Sequence, residues 1–245
     1  MPASDWLQSP QGVIANGALA VLADGPLGCA IQTTLPPVTP YTTSELSLRL
    51  VRPARPGGTL TARGRLIHGT RSLGLSEVFI NDERGRLIAH GSSLCFILPP
   101  IDVDPGTSEP AAGSASPDPP AEPGEGDPDP HARPVAGKVI SQDIWDRMSG
   151  LEVLEAQLAG ELPRPPVSYL FGMRPSDVGE GRATFVLPAT RWLCSPLARV
   201  EGGVIAMLAD GALASAIQTT LPAGTALAMI DLKVKLPTAR PARRR

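Results

Sequence analysis

Two aspartates sit where an isolated charge needs explaining. Asp24 lies in LADGPLGCAIQTTLP, which begins at Leu22, and Asp210 in LADGALASAIQTTLP, which begins at Leu208. Twelve of the fifteen positions are identical, at an offset of 186. Asp24 is the only charged residue between Asp5 and Glu45, and Asp210 the only one between Glu201 and Asp231. An ionised carboxylate is costly to take out of water unless it is paired or hydrogen-bonded. Such a group either faces a polar cleft, where it can act as nucleophile or as general base on water, or bonds a neighbouring backbone group or partner subunit. The lone charge leaves both readings open.

The segment around Asp210 has helical periodicity. Val204, Ile205, Leu208, Ala212, Leu213, Ala216 and Ile217 recur at the spacing of a helix over 203–219, apolar nearly all round and hence buried. Gly202 and Gly203 stand at its entrance, and Gly17 takes the place of Gly203 in the first copy. Entrance glycines let a carbonyl approach the unpaired N–H groups of a first turn, which can hold an oxyanion. An entrance N–H with a carboxylate two turns along the same helix would suit acyl transfer; close helix packing explains the glycines equally well. Pro26, two residues after Asp24, predicts a bend in the first helix.

The repeat reaches further. MPASDWLQSP (1–10) aligns without gaps to LPATRWLCSP (187–196), and ELSLRLVRPAR from Glu45 matches DLKVKLPTARPAR from Asp231 once two residues are inserted. Between the copies, residues 101–137 hold nine prolines, eight acidic residues and one Arg, which predicts a disordered linker. Four alternating stretches follow the first helix, at 41–52, 58–69, 72–83 and 86–98, with DERG turning a hairpin. The second copy is preceded by a predicted helix at 139–160 and two strands around DVGEGR, and is followed by one strand at 226–236. The expected organisation is a unit at 1–100 lacking its N-terminal strand, the linker, and a unit at 138–245 lacking its C-terminal strands. Met1 reads as an internal methionine of a longer tandem ancestor or a start placed too late, and the tail as a frameshift or truncation.

With 42% hydrophobic residues but only 4% aromatics, the core must rest on Leu, Val, Ile and Ala. The net charge of −2 favours neither nucleic acid nor an acidic membrane surface, and outside 101–137 the chain is mildly basic. Three cysteines without metal-like spacing argue for a reducing cytoplasm, no metal and no structural disulfide. No basic and apolar leader and no run of about 20 apolar residues is present.

GGVIAMLAD, with ELSLRLVRPARPGGTLTARGRLIHGTRSLGLSEVFINDERGRLIAHGSS, resembles the PaaI-like acyl-CoA thioesterases of the hotdog superfamily. Residues 150–196 resemble that family's N-terminal region. The resemblance implies an α+β hotdog fold, a curved antiparallel sheet around a long central helix, with sites formed between two units. It implies hydrolysis of acyl-CoA without cofactor, with Asp210 or its partner Asp24 as the carboxylate and Gly203, Gly202 or Gly17 as the N–H donor. The family's His before the paired glycines is Glu201 here and Ala15 in the first copy.

Asp210 is expected ahead of Asp24, since the first entrance reads Ala15–Asn16–Gly17 and Pro26 follows. Glu201, Asn16, Gln218, Gln32, Thr34, Arg52 and Arg71 are candidates for binding the substrate, the arginines through CoA phosphates. A homo-oligomer or an intramolecular pseudo-dimer is expected. The competing reading is a degenerate hotdog protein that binds acyl groups or only assembles with other subunits.

Overall fold

The computed structural model describes residues 1–100, 134–195 and 198–236. Most of the acidic stretch and the basic tail beyond 236 therefore lie outside the described residues. The chain opens with a 3₁₀ turn (Asp5–Leu7), helix α1 (Asn16–Gln32) and four strands, β1 (Tyr41–Leu50), β2 (Thr61–Gly69), β3 (Leu73–Asn81) and β4 (Leu87–Ile97). Three short helices follow: α2 (Gln142–Arg147), α3 (Gly150–Ala159) and α4 (Pro166–Phe171). A hairpin of β5 (Arg174–Gly179) and β6 (Arg182–Val186) leads to a second 3₁₀ turn, helix α5 (Gly202–Gln218) and β7 (Asp231–Lys235).

All strand pairs are antiparallel, in a five-stranded sheet of order β2-β3-β4-β1-β7 and a separate β5-β6 sheet. The larger sheet lays its alternate residues on α1. Gly74, Ser76, Val78 and Ile80 of β3, and Ala89, Gly91, Ser93 and Cys95 of β4, are buried, as the two-residue period of a strand requires. Against them α1 buries Leu19, Ala20, Ala23, Leu27 and Ile31. Burying each Leu or Ile here contributes about 1.5–3 kcal/mol. Helix α1 runs unbroken through Pro26. The expected bend does not interrupt it, because tertiary packing on both faces outweighs one lost backbone hydrogen bond.

Two sequence expectations are corrected. The helix expected at 139–160 is two helices, split at Met148 and Ser149. Ser149 accepts from the Glu152 N–H while the Glu152 side chain accepts from the Ser149 N–H, and this reciprocal cap starts α3 afresh. The strand expected at 226–236 covers only 231–235. Its counterpart in β1 extends to Tyr41 because β4 pairs with it there, whereas among the described residues 226–230 pair with no second strand, Ile230 only accepting from the Leu50 N–H.

The offset of 186 also maps structure onto structure. The Gln8–Ile14 bridge becomes Cys194–Val200, and the Ala15 N–H to Leu7 carbonyl bond becomes Glu201 to Leu193. Val38 and Gly224, both at positive φ, are equivalent. Strand β7 pairs with its own counterpart, β1, in a register centred on Ser47 opposite Lys233, with Glu45 opposite Lys235 and Arg49 opposite Asp231. A pseudo-twofold axis thus passes between β1 and β7, and α1 and α5 pack beneath them.

Candidate active site

Across that axis the two helices run antiparallel, and each carboxylate meets the other helix's entrance. The Gly17 N–H donates to Asp210 Oδ2 and the Gly203 N–H to Asp24 Oδ2, both at 2.8 Å. The same-helix arrangement expected from sequence is replaced by a crossed one. The physical reason is length: seven residues along a helix span about 10 Å, too far for one substrate carbonyl to share both groups. Neither helix has a side-chain cap of its own. Each aspartate therefore caps the opposite first turn, where N–H groups and the helix dipole favour an anion. The glycines make the approach possible, since a Cβ on Gly17 would lie 2.7 Å from the Met207 Cα and one on Gly203 would lie 2.8 Å from the Val21 Cα.

The two crossings differ in surroundings. Asp24 is half-buried and borders a cavity of about 820 Å³. Its walls come from the Gly202 entrance, Glu201, the Leu35–Pro40 loop and the first residues of β1, Tyr41–Thr43. The Thr43 hydroxyl donates to Asp24 Oδ1 over 3.5 Å. Burial holds the Asp24 carboxyl above the usual aspartate range, against the lowering effects of the Gly203 N–H, the Thr43 hydroxyl and the Gly202 N–H. Glu201 is likewise raised, by burial and then by the Asp24 charge. The Tyr41 phenol is pushed up to about 12, by burial first and then by neighbouring anionic groups that include Asp24 and Glu201.

Asp210 borders a second cavity of about 630 Å³, whose lining includes Met173, Phe185, Met207 and Met229. Only 8% of the residue is exposed, and Oδ1 is buried without a partner. Burial pushes this carboxyl up to about 6, opposed only by the Gly17 N–H. Where the Asp24 cavity has Glu201, Gly202, Tyr41 and Thr43, the offset of 186 puts Ala15, Asn16, Leu227 and Met229 on the Asp210 side.

Among the other candidates, Gln32 lines the Asp24 cavity, while Asn16, Gln218 and Arg52 line the Asp210 cavity. Thr34 and Arg71 line neither: the Thr34 hydroxyl donates to the Ile31 carbonyl, and Arg71 is exposed in the turn between β2 and β3. The sequence reading overlooked Tyr41 and Thr43. The available signal was divergence between the copies, because both are polar in the first and apolar in the second. All three cysteines are free thiols, and Cys29 lines the Asp24 cavity. Among the described residues no group of three or more His, Cys, Asp or Glu could hold a metal ion, and no helix is long and apolar enough to cross a membrane.

A curved antiparallel sheet wrapped on a long helix, paired with a second such helix about a twofold axis, is the hotdog fold. Residues 11–89, from the turn before α1 into β4, match the family model of the thioesterase superfamily, and the resemblance read from the sequence holds at that level. Among solved structures, a Bacillus halodurans protein crystallised with CoA is 26% identical, over 40% of this chain and 68% of its own, with a TM-score of 0.38. A phenylacetic acid degradation-related protein of Ralstonia eutropha is 26% identical over 39% and 70%, with a TM-score of 0.37. The PaaI protein of E. coli is 20% identical over 41% and 70%, also with a TM-score of 0.37. No curated protein matches the chain.

Proposed function

We propose that the chain is a PaaI-like thioesterase that hydrolyses acyl-CoA at Asp24, not at the Asp210 favoured by sequence alone. The observation that carries this reading is the crossed pair of Asp24 and the α5 entrance, beside a cavity to which Tyr41, Thr43 and Glu201 contribute polar groups. A thioester carbonyl placed at that entrance would take over the Gly202 and Gly203 N–H groups that now face Asp24, which frees the carboxylate to react. Asp24 then either attacks the carbonyl carbon or takes a proton from water as the water attacks. In the first route the C–S bond breaks to leave a mixed anhydride on Asp24, which water then cleaves; in the second, water adds to the carbonyl and the C–S bond breaks, and in both CoA leaves as the thiol and the carboxylic acid is released. Thr43 would orient Asp24, and Glu201 would keep a second acidic group beside the reacting carbon. The free thiols fit a reducing cytoplasm. Residues 1–100 and 138–245 are read as two partial hotdog units joined by a linker at 101–137 and paired as an intramolecular pseudo-dimer.

For the Asp210 side the buried carboxylate, with one oxygen unpartnered and with Leu227 and Met229 in place of Tyr41 and Thr43, favours the second reading, a half that has kept the fold but not the chemistry. The deciding experiment is thiol release from a panel of acyl-CoAs, straight-chain and aromatic, by the wild type, Asp24→Asn, Asp210→Asn and the double variant. Loss of turnover in Asp24→Asn with retention in Asp210→Asn is expected. Undiminished turnover in the double variant, or none in a folded wild type, would end the catalytic reading.

A further inference from the structure

Tyr41 and Gly28 form a contact whose two positions change together in the second copy. The Tyr41 ring lies so close over α1 that a Cβ on Gly28 would stand 2.5 Å from the hydroxyl oxygen and 3.3 Å from the ring edge. At the offset of 186 the two positions are Ala214 and Leu227, so where the methyl is present the phenol is absent. Gly28 and Tyr41 line the Asp24 cavity, and Ala214 and Leu227 line the Asp210 cavity. A joint change at two positions of a cavity wall reshapes the cavity and leaves the helix behind it intact.

Gly28 stands one turn beyond Asp24 on the same face of α1. Four residues of helix rise about 6 Å, a length that an extended chain of about five carbons fills. The ionisable groups that act on the Tyr41 phenol are Cys29, Cys95, Asp24 and Glu201, none of them basic. The phosphates of CoA would meet only acidic charge there. Arg199, exposed and the one basic residue among the described walls of this cavity, suits them better. The uncharged acyl chain is then the part of the substrate left to run along Gly28 to Tyr41. We propose, on the reading that acyl-CoA reacts at Asp24, that Tyr41 seated on Gly28 closes the acyl end of this cavity and limits the substrate to short chains of about five carbons. Gly28 takes part by its missing side chain. With a methyl there the ring would have to swing off α1 into the cavity, and the space for the acyl chain would shrink further.

The test is a ladder of S-alkyl-CoA thioethers, from ethyl to dodecyl, titrated into the full chain by calorimetry. Thioethers lack the carbonyl and cannot be hydrolysed, so this readout does not need turnover. Thermal melts would verify that each variant folds. In the wild type, affinity should climb to about the pentyl chain and then level or fall. Tyr41→Leu, which installs the second copy's residue, should carry the climb on to octyl, with a gain of about tenfold in affinity for that chain. Tyr41→Phe removes a single heavy atom and should move the break far less. Gly28→Ala should weaken pentyl binding about tenfold beside Tyr41 and change it little in the Tyr41→Leu background. A break that stays in place in Tyr41→Leu overturns the proposal, as does a Gly28→Ala penalty that is equal in both backgrounds. So does a folded wild type that binds no thioether. Thiol release from the matching acyl-CoAs separates this limit from the catalytic reading. A wild type that shows the break but releases no thiol would end hydrolysis at Asp24 and leave the acyl limit standing.

Discussion

Helices α1 and α5 share most of their residues yet occupy different environments. Leu27 and Leu213 are equivalent, but one is fully buried and the other half-exposed. Asp24 and Asp210 are equivalent, and their exposures run the other way: the half-buried Asp24 accepts from the Thr43 hydroxyl at the edge of its cavity, whereas the buried Asp210 keeps an oxygen without a partner. The difference comes from what packs around each helix. Three strands follow β1 and cover α1. Helix α5 is backed instead by α3 and the β5-β6 hairpin, and the loop before β7 brings Met229 toward Asp210 where β1 brings Thr43 toward Asp24. Helix residues can therefore stay the same while the neighbouring strands decide which carboxylate meets solvent.

The largest effect that would break the comparison is catalytic. Asp24→Asn should slow acyl-CoA hydrolysis by about 10³-fold, as removal of a nucleophile or general base does, while Asp210→Asn should stay within about threefold of the wild type. Equal losses in kcat/KM would mean that the two crossings are chemically alike.

Next comes packing. Leu27→Ala should cost about 3 kcal/mol in denaturant unfolding, because a cavity opens between α1 and the sheet. Leu213→Ala, at a half-exposed position, should cost less than about 1 kcal/mol. Similar costs would show that α5 is covered as fully as α1.

A third test uses pH and stability. The folded-state value of Asp210 is raised to about 6 from an unfolded value of 3.8. Its contribution to stability is therefore fully present below about pH 4 and is lost as pH rises through 6. Asp210→Asn should raise stability at pH 8 by about 2–3 kcal/mol and change it little at pH 4, as thermal melts at the two pH values would show. A stabilisation independent of pH would mean that Asp210 is not desolvated as its burial implies.

The smallest effect sharpens the chemistry at Asp24. Glu201→Gln removes a neighbouring acidic charge, so the acid limb of the kcat/KM profile should move to lower pH by less than about one unit. An acid limb that stays in place would show that the two carboxylates do not interact.

Much of this molecule could be read from residue patterns. The alternating stretches gave β1 to β4 to within a few residues, and the repeat identified both helices and both aspartates. The hairpin turn at DERG is present, with the Asp82 N–H donating to the Arg86 carbonyl and Gly85 at φ 74°. The crossing of the carboxylates was not legible, because a repeat says that two segments are alike and nothing about how they face each other. Tyr41 and Thr43 were missed for a related reason: their importance lies in the loop that carries them over Asp24, some twenty residues along the chain.

The sequence alone therefore determined the two long helices and the four strands of the first copy, since hydrophobic period, glycine placement and turn residues act locally, although α4 was not expected and the helix before it was read as one. It also determined that a lone carboxylate would sit in each long helix. The tertiary structure decided that Asp24 faces the entrance of α5 and Asp210 that of α1. It decided as well that only Asp24 has Thr43, Tyr41 and Glu201 around it, and that β7, some 185 residues on, pairs with the free edge of β1. Those outcomes depend on contacts between residues some 180 positions apart, where the free energy lies in packing and desolvation that no local pattern encodes.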